Sequence, residues 1–246
     1  MNMRELPPSV SIVIPTLDEA RRIETLLLAL GAQEFEGALQ IIVSDGASQD
    51  GTPEIARRHP NVLLVESERG VSRQRNAGAR RAEGELIFFM DADNHPAPTF
   101  VRDIVESYRR LPFTVACPWL VAQDAGIAVR AAYFVFNLLF WLGQSTLRTG
   151  SGVCIIARRE AWRRCGGFDE TLHLGEDVRF IRRAAPRFGL HRHLFVPLET
   201  SGRRYTRDGF WRLSAFYARI APLILCGLWK PLQRQNYRAD YEEEME

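Results

Sequence analysis

The first part of the chain repeats one pattern, a short apolar run followed by a stretch with helical periodicity. Val10 to Pro15 reads as a buried strand. After it, Ile23, Leu26, Leu27 and Leu30 recur at helical spacing and place one helix face on a sheet, with Asp18 as a candidate cap. Gln40 to Ser44 is the next strand, and Thr52 followed by Pro53 is a helix start with proline in its first turn. Asn61 to Ser67, Glu85 to Met90 and Thr114 to Leu120 complete the strand series, separated by helices near Ser72 to Ala82 and Pro98 to Arg110. A further helix starts at Glu176 and runs to about Phe188. This alternation predicts an α/β, Rossmann-like, mostly parallel sheet covered by helices on both faces, in which ligands bind beyond the carboxyl ends of the strands.

Small and acidic residues cluster at those strand ends: Thr16 to Glu19, Asp45-Gly46-Ala47-Ser48, and Asp91-Ala92-Asp93. The last group follows Leu86-Ile87-Phe88-Phe89-Met90, so a core strand delivers two carboxylates to its rim. Hard oxygen ligands of this kind suit Mg²⁺ or Mn²⁺, with Asp93 and Asp91 as ligands and substrate phosphates completing the shell. The glycines of Asp45 to Thr52 fit a tight turn in which a carboxylate can face a nucleobase or ribose. Arg73 and Arg75 open a helix, where guanidinium groups can meet a phosphate. His95 stands near the acidic pair and His173 near Glu176-Asp177; both read more simply as turn residues.

Composition changes little in this picture. With 246 residues, 46% of them hydrophobic, the chain can bury one large core. The 32 basic and 30 acidic residues nearly balance, which gives no basis for a nucleic-acid partner. Lys230 is the only lysine, so nearly every cation is a guanidinium. Cys117, Cys154, Cys165 and Cys226 form no CxxC pair, which speaks against a zinc knuckle and for reduced cytoplasmic thiols. Met1 to Ser9 has no apolar run of the kind a secretory signal needs.

Five segments together carry a resemblance: Val13-Ile14-Pro15-Thr16-Leu17-Asp18-Glu19, Asp45 to Thr52, Arg75-Asn76-Ala77-Gly78, Asp91-Ala92-Asp93, and Gly175-Glu176-Asp177. In this order and spacing they resemble glycosyltransferase family 2, over most of Val10 to Tyr205. The resemblance implies a GT-A fold and an inverting transfer of sugar from a nucleotide diphosphate sugar. It further implies a nucleotide-sugar site at Pro15, Thr16, Leu17, Glu19, Asp45, Gly46, Arg73, Arg75, Asp91, Ala92 and Asp93. Asp177, with Glu176 beside it, is the implied general base. Arg203 and Arg204, in a basic segment after the last predicted strand, would close over the diphosphate. The chain departs from the family in having Asp18 where Asn is frequent, and Ser44-Asp45-Gly46-Ala47 where Asp-Asp-Gly-Ser is frequent.

The expected organisation is a GT-A domain over residues 1–207, with a nucleotide half at 10–93 and an acceptor half at 94–207. An amphipathic helical segment and acidic tail follow at 208–246. Ala125 to Gly143 is apolar apart from Arg130 and Asn137, seven residues apart and so on one helical face. Phe210 to Trp229 repeats the pattern with Arg212 and Arg219, and Pro222 is expected to kink it. Since Asp93 and Asp177 flank the first stretch, a membrane crossing there would split the site. Internal packing, a homodimer interface and peripheral membrane attachment each fit these stretches. The last alternative suits a lipid-linked, membrane-resident or glycan acceptor and a cytoplasmic enzyme at the inner face of the cell membrane. A sugar nucleotidyltransferase is the nearest rival, but Pro15 to Glu19 lacks the glycine-rich, lysine-containing loop expected of one. A non-catalytic nucleotide-sugar-binding or membrane scaffold is the rival of another class.

Overall fold

Strict alternation along the strands sorts side chains into two cores. On β1 (Val10–Thr16), Ile12 and Ile14 face one side and Val13 the other; on β4 (Leu86–Met90), Leu86, Phe88 and Met90 oppose Ile87 and Phe89. The first side is covered by α1 (Ala20–Gly31) and α4 (Phe100–Arg110), through Ile23, Leu26, Leu27 and Leu30 and through Phe100, Val101, Ile104 and Val105. The second is covered by α3 (Val71–Arg81), α6 (Arg159–Cys165) and α7 (Glu176–Ala184). The structure, a computed structural model, describes residues 7–123, 125–186, 190–202, 205 and 209–233.

The sheet order is β3-β2-β1-β4-β7-β6-β8-β5. β2 (Leu39–Asp45), β3 (Val62–Glu66) and β4 run parallel to β1 or to one another, as the alternation predicts. Beyond β4 the sheet becomes mixed. β7 (Cys154–Arg158) inserts antiparallel between β4 and β6 (Val115–Gln123), and the two-residue β5 (Asn94–His95) is antiparallel to β8 (His191–Ser201). β7 follows β6 after a long connection through α5 (Ile127–Gly143), a length that permits either strand direction, and it runs antiparallel to both neighbours. α2 (Thr52–Arg57) starts at the expected Thr52-Pro53, and α7 ends at Ala184, before Phe188, which lies outside the described residues.

One buried polar residue fixes the far half. β6 pairs with β7 only through Val115 and Ala116, so further along its edge Leu120 has no strand neighbour on that side. Asn137 of α5, 1% exposed, fills the gap: Leu120 N–H donates to its Oδ1 at 3.0 Å, and its Nδ2 donates to Leu120 O at 2.7 Å. A buried backbone group without a partner is costly, which accounts for an amide in an apolar helix. Arg130 is exposed while Asn137 is buried, and at the helix start it is Val129 that packs on Ala122 of β6, so the single face expected for Arg130 and Asn137 is divided. α8 (Phe210–Leu225) packs on α5 through the Phe136 and Tyr217 rings, 6.2 Å apart, and Pro222 sits inside it. The short α9 (Trp229–Gln233) follows.

Candidate active site

The loops after β1 and β2 lock each other. Asp45, 3% exposed, accepts from Thr16 Oγ1 at 2.9 Å and Ser48 Oγ at 2.5 Å, and from Ser48 N–H at 2.9 Å. Ser48 Oγ in turn accepts from Asp18 N–H at 2.9 Å, and Gln49 N–H donates to Asp18 Oδ1 at 2.8 Å. Asp18 therefore does not cap α1. It has φ 53° and serves the opposite loop, while Ala20 N–H at the helix start donates to Asp50 Oδ2 at 2.8 Å. Four hydrogen bonds from Ala20, Thr52 and its own backbone outweigh burial and hold the Asp50 carboxyl below its usual range. A carboxylate from a neighbouring loop can satisfy a helix start as well as a local cap can.

These loops form one wall of a cleft at the carboxyl ends of β1 and β4. It is lined by Pro15, Leu17, Glu19, Arg69, Gly70, Val71, Gln74, Asp91, Ala92 and Asp93. Of the residues singled out from the sequence, Pro15, Leu17, Glu19 and the Asp91-Ala92-Asp93 run line it, whereas Thr16 and Asp45 are buried behind the wall. Gly46 sits where a Cβ would lie 2.7 Å from Gln74 Nε2, so only glycine leaves room for that amide, which donates to Thr16 O. Arg73 turns away to Glu68, 2.6 Å. Arg203 and Arg204 lie outside the described residues. Sequence reasoning did not single out Arg69, Gly70, Val71 or Gln74; the available signal was Gly70 immediately before a helix, here with φ 131°.

Arg75, 2% exposed, is the junction between the strand-end carboxylates and the start of α7. Its Nη2 donates to Asp91 Oδ1 at 3.1 Å and to Gly152 O at 2.8 Å, and its Nη1 donates to Glu176 Oε1 at 3.1 Å. The guanidinium lies over the Phe168 ring, 5.3 Å from its centroid. Asn76 next to it clamps the loop before α7, accepting from Phe168 N–H at 2.9 Å and donating to Phe168 O at 2.9 Å. Gly78, one turn of helix past Arg75, lets α3 lie against β1, since a Cβ there would be 2.4 Å from Val13 Cγ1. The Arg75-Asn76-Ala77-Gly78 motif thus ties three elements together.

Asp177 completes the cluster. Its Oδ1 accepts from its neighbour Val178 N–H at 2.7 Å, and it also accepts from the Gly152 backbone. A Cβ at Gly152 would stand 3.1 Å from Asp177 Oδ2 and 3.4 Å from Arg75 Nη2. Val153, next along, accepts from Asp91 N–H at 3.0 Å, so one loop touches both Asp91 and Asp177. Burial raises the Asp177 carboxyl above its usual range, although Val178, Arg75 and Gly152 work in the other direction. Burial and the neighbouring Asp177 push Glu176 up to about 7 against the pull of Arg75. For Arg75 burial disfavours the charge, but Asp91, Glu176 and Asp177 outweigh it and raise the guanidinium further.

The donor set at Asp91 and Asp93 fits a hard divalent cation. Asp91 commits one oxygen to Arg75, and both carboxylates border the cleft. Among the described residues no three His, Cys, Asp or Glu side chains gather as a cage made by protein alone. A cation here would take its remaining ligands from substrate phosphates and water, which is how Mg²⁺ is commonly held. His95 is paired in β5 opposite Glu199, and His173 is exposed in the turn before α7.

A parallel nucleotide-type half, a mixed second half and acidic strand-end loops define the GT-A class of fold. Comparison with known proteins agrees. The family model described as Glycosyl transferase family 2 matches residues 11–166, and the chain belongs to that family. It is 32% identical over 199 residues to the succinoglycan biosynthesis protein ExoA of Rhizobium meliloti, covering 72% of this chain and 58% of that one. To a pre-mycofactocin glycosyltransferase of Mycobacterium tuberculosis it is 26% identical over 237 residues, 89% of this chain and 49% of the relative. The chain thus spans roughly half the length of these two curated relatives. Among solved structures it is similar to a mannosyltransferase from Pyrobaculum calidifontis in complex with GDP-Man and Mn²⁺, with TM-score 0.65 and 26% identity over 80% of this chain and 58% of that one. Staphylococcus aureus TarS in complex with UDP shares the fold, with TM-score 0.63 at 20% identity over 78% of this chain and 60% of that one.

Proposed function

We propose that this protein transfers a sugar from a nucleotide diphosphate sugar to an acceptor hydroxyl or phosphate, with inversion at the anomeric carbon. The observation that supports it most is the Arg75 junction, which sets the Asp91 carboxylate and the start of α7 within one guanidinium's reach. Pro15, Leu17 and Glu19 receive the nucleoside, on a wall kept in place by Thr16, Asp45, Gly46 and Ser48. Arg69 at the cleft, Arg73 one helical turn further on, and Arg203 and Arg204 of the basic segment after β8 are the candidates for diphosphate contacts. Asp93 and Asp91, with Ala92 between them, would hold Mg²⁺ or Mn²⁺, which when bound offsets charge on the departing diphosphate.

On the acceptor side, Asp177 takes the proton from the acceptor hydroxyl as that oxygen attacks the anomeric carbon. The bond from this carbon to the diphosphate oxygen breaks in the same step, and the nucleoside diphosphate leaves with the electron pair. Glu176, paired with Arg75, holds α7 in place and keeps Asp177 as the group free to act. The acceptor is lipid-linked or membrane-resident, and the enzyme works at the cytoplasmic face of the membrane. Similarity to a protein named for succinoglycan biosynthesis supports this reading, and so do the exposed apolar residues of α5 and α8, helices that Arg182 ties to α7. The test is calorimetric binding of UDP-, GDP- and dTDP-sugars with and without Mn²⁺, on wild type and Asp93→Ala. Selective binding that needs both metal and Asp93 is expected. Absence of affinity for every donor would contradict the proposal.

A further inference from the structure

Among the described residues, α5 carries an exposed apolar crest. Phe134, Val135, Leu138, Leu139 and Leu142 are 37–64% exposed, and Ile127 at the helix start is 88% exposed. Their spacing spreads them over one broad stripe that starts beside Asn137 at Phe134 and runs round to Val135 and Leu139 on the far side of the helix. The crest continues onto the sheet, where Phe195, 67% exposed, stacks on Trp119 at 5.2 Å and lies 5.6 Å from Trp141. On α8, Trp211 is 82% exposed. Contiguous apolar surface of this extent marks a contact site.

Charge decides between occupants. Residues 125–159 and 209–233 contain no Asp or Glu. The charged side chains carried by α5, α8 and α9 are Arg130, Arg212, Arg219 and Lys230, all exposed. A two-fold contact between copies through these helices would gather cations from both copies with no acid on the same helices to pair them. Aromatic and aliphatic side chains on helices whose charged residues are all cations are instead complementary to an anionic bilayer, with Glu199 of β8 the acid on the strand face that carries Phe195. No helix of the described residues is long and apolar enough to cross a membrane, so the contact is one of lying on the surface.

The crest is also fastened to the candidate base. Arg182 on α7 donates to Leu147 O just past α5 at 3.2 Å, and to Ile224 O and Leu225 O at the end of α8 at 2.8 and 3.3 Å. Gly175, which precedes Glu176, is packed so closely by α8 and α9 that a Cβ would meet Leu232 Cδ2 at 2.9 Å and Trp229 Cζ3 at 3.1 Å. We infer that α5 and α8 form a single platform that seats on an anionic lipid surface and presents Asp177 to an acceptor held there. The inference rests on the reading of the acceptor as membrane-resident, and it assigns the part of the chain that makes the contact.

The test is flotation of the full chain with phosphatidylcholine vesicles, with and without about 30% phosphatidylglycerol, at low and high salt. Donor affinity and the melting curve are recorded on the same preparations. Wild type should float several-fold better with the anionic vesicles and lose this at high salt. Leu139→Glu/Leu142→Glu should abolish flotation with an unchanged melting curve, both positions being solvent-facing, and Arg212→Gln/Arg219→Gln should remove the preference for phosphatidylglycerol. Donor affinity without flotation, or flotation unaltered by both double variants, overturns the platform and leaves the transferase reading intact. Flotation without donor affinity overturns the transferase reading alone. A dimer in sedimentation velocity that Leu139→Glu dissociates assigns the face to a second copy and also overturns the inference.

Discussion

The two halves of the site are built by opposite means. On the donor side, Thr16, Asp18, Asp45, Ser48, Asp50 and Thr52 bond almost wholly to one another, so the cleft wall is shaped before any ligand arrives. On the acceptor side, partly buried carboxylates crowd around one buried guanidinium, and the helices beyond them leave apolar faces in solvent. A shaped wall suits a substrate that many relatives share, and an unfinished one suits an acceptor supplied by another surface.

Removing the junction should do most damage. Arg75→Met removes the buried cation that bridges the half-buried Asp91 and Glu176 carboxylates, with an expected loss of about 3–5 kcal/mol in denaturant unfolding. A loss under about 1 kcal/mol would mean that the junction is not what holds the halves together. Asn137→Leu leaves Leu120 N–H and C=O bare, and about 2–4 kcal/mol should be lost. Hydrogen exchange should then rise in α5 and β6 while β1 to β3 stay protected, which confines the effect to the acceptor half. On the donor side Gly78→Ala forces α3 away from Val13 and should cost about 1–3 kcal/mol, with weakened donor binding as its readout.

A further effect is a pH slope. Glu176 titrates at about 7 in the fold and near 4.5 when free, so between these values the folded state holds a proton that the unfolded chain has released. Stability contributed by the neutral acid is complete below that window and falls as pH rises through it. Thermal melts of Glu176→Gln across about pH 5 to 7 should lack this decline. An identical slope in both proteins would place the titration elsewhere.

Much of this contrast was legible in the sequence, and its limits have physical causes. Strand ends could be read because apolar runs stop abruptly at Thr16, Asp45 and Asp91, and a parallel sheet collects such ends on one rim. Asp18 was misjudged as a cap because the group that serves α1, Asp50, comes from a loop some 30 residues away. The role of Arg75 is invisible locally, since its partners stand 16, 77 and 101 residues along the chain. β7 escaped notice although Thr149-Gly150-Ser151-Gly152 before it is a turn signal, because Cys154 to Ala157 is too short a buried run for periodicity to tell a strand from a helix. Asn137 was legible as an interruption in an apolar stretch; its purpose depended on where β6 leaves β7.

The central claim, that chemistry and donor binding reside in separate halves joined at Arg75, is tested most directly by Asp177→Asn. Donor affinity and single-turnover transfer should be measured together, across pH. Unchanged affinity with a rate lower by about 10²- to 10⁴-fold is expected. In wild type the rate should fall on acidification at a pH above the ordinary aspartate range, because burial raises Asp177, and the variant should lack that fall. Transfer at the wild-type rate in Asp177→Asn, or loss of donor affinity in place of rate, would contradict the account.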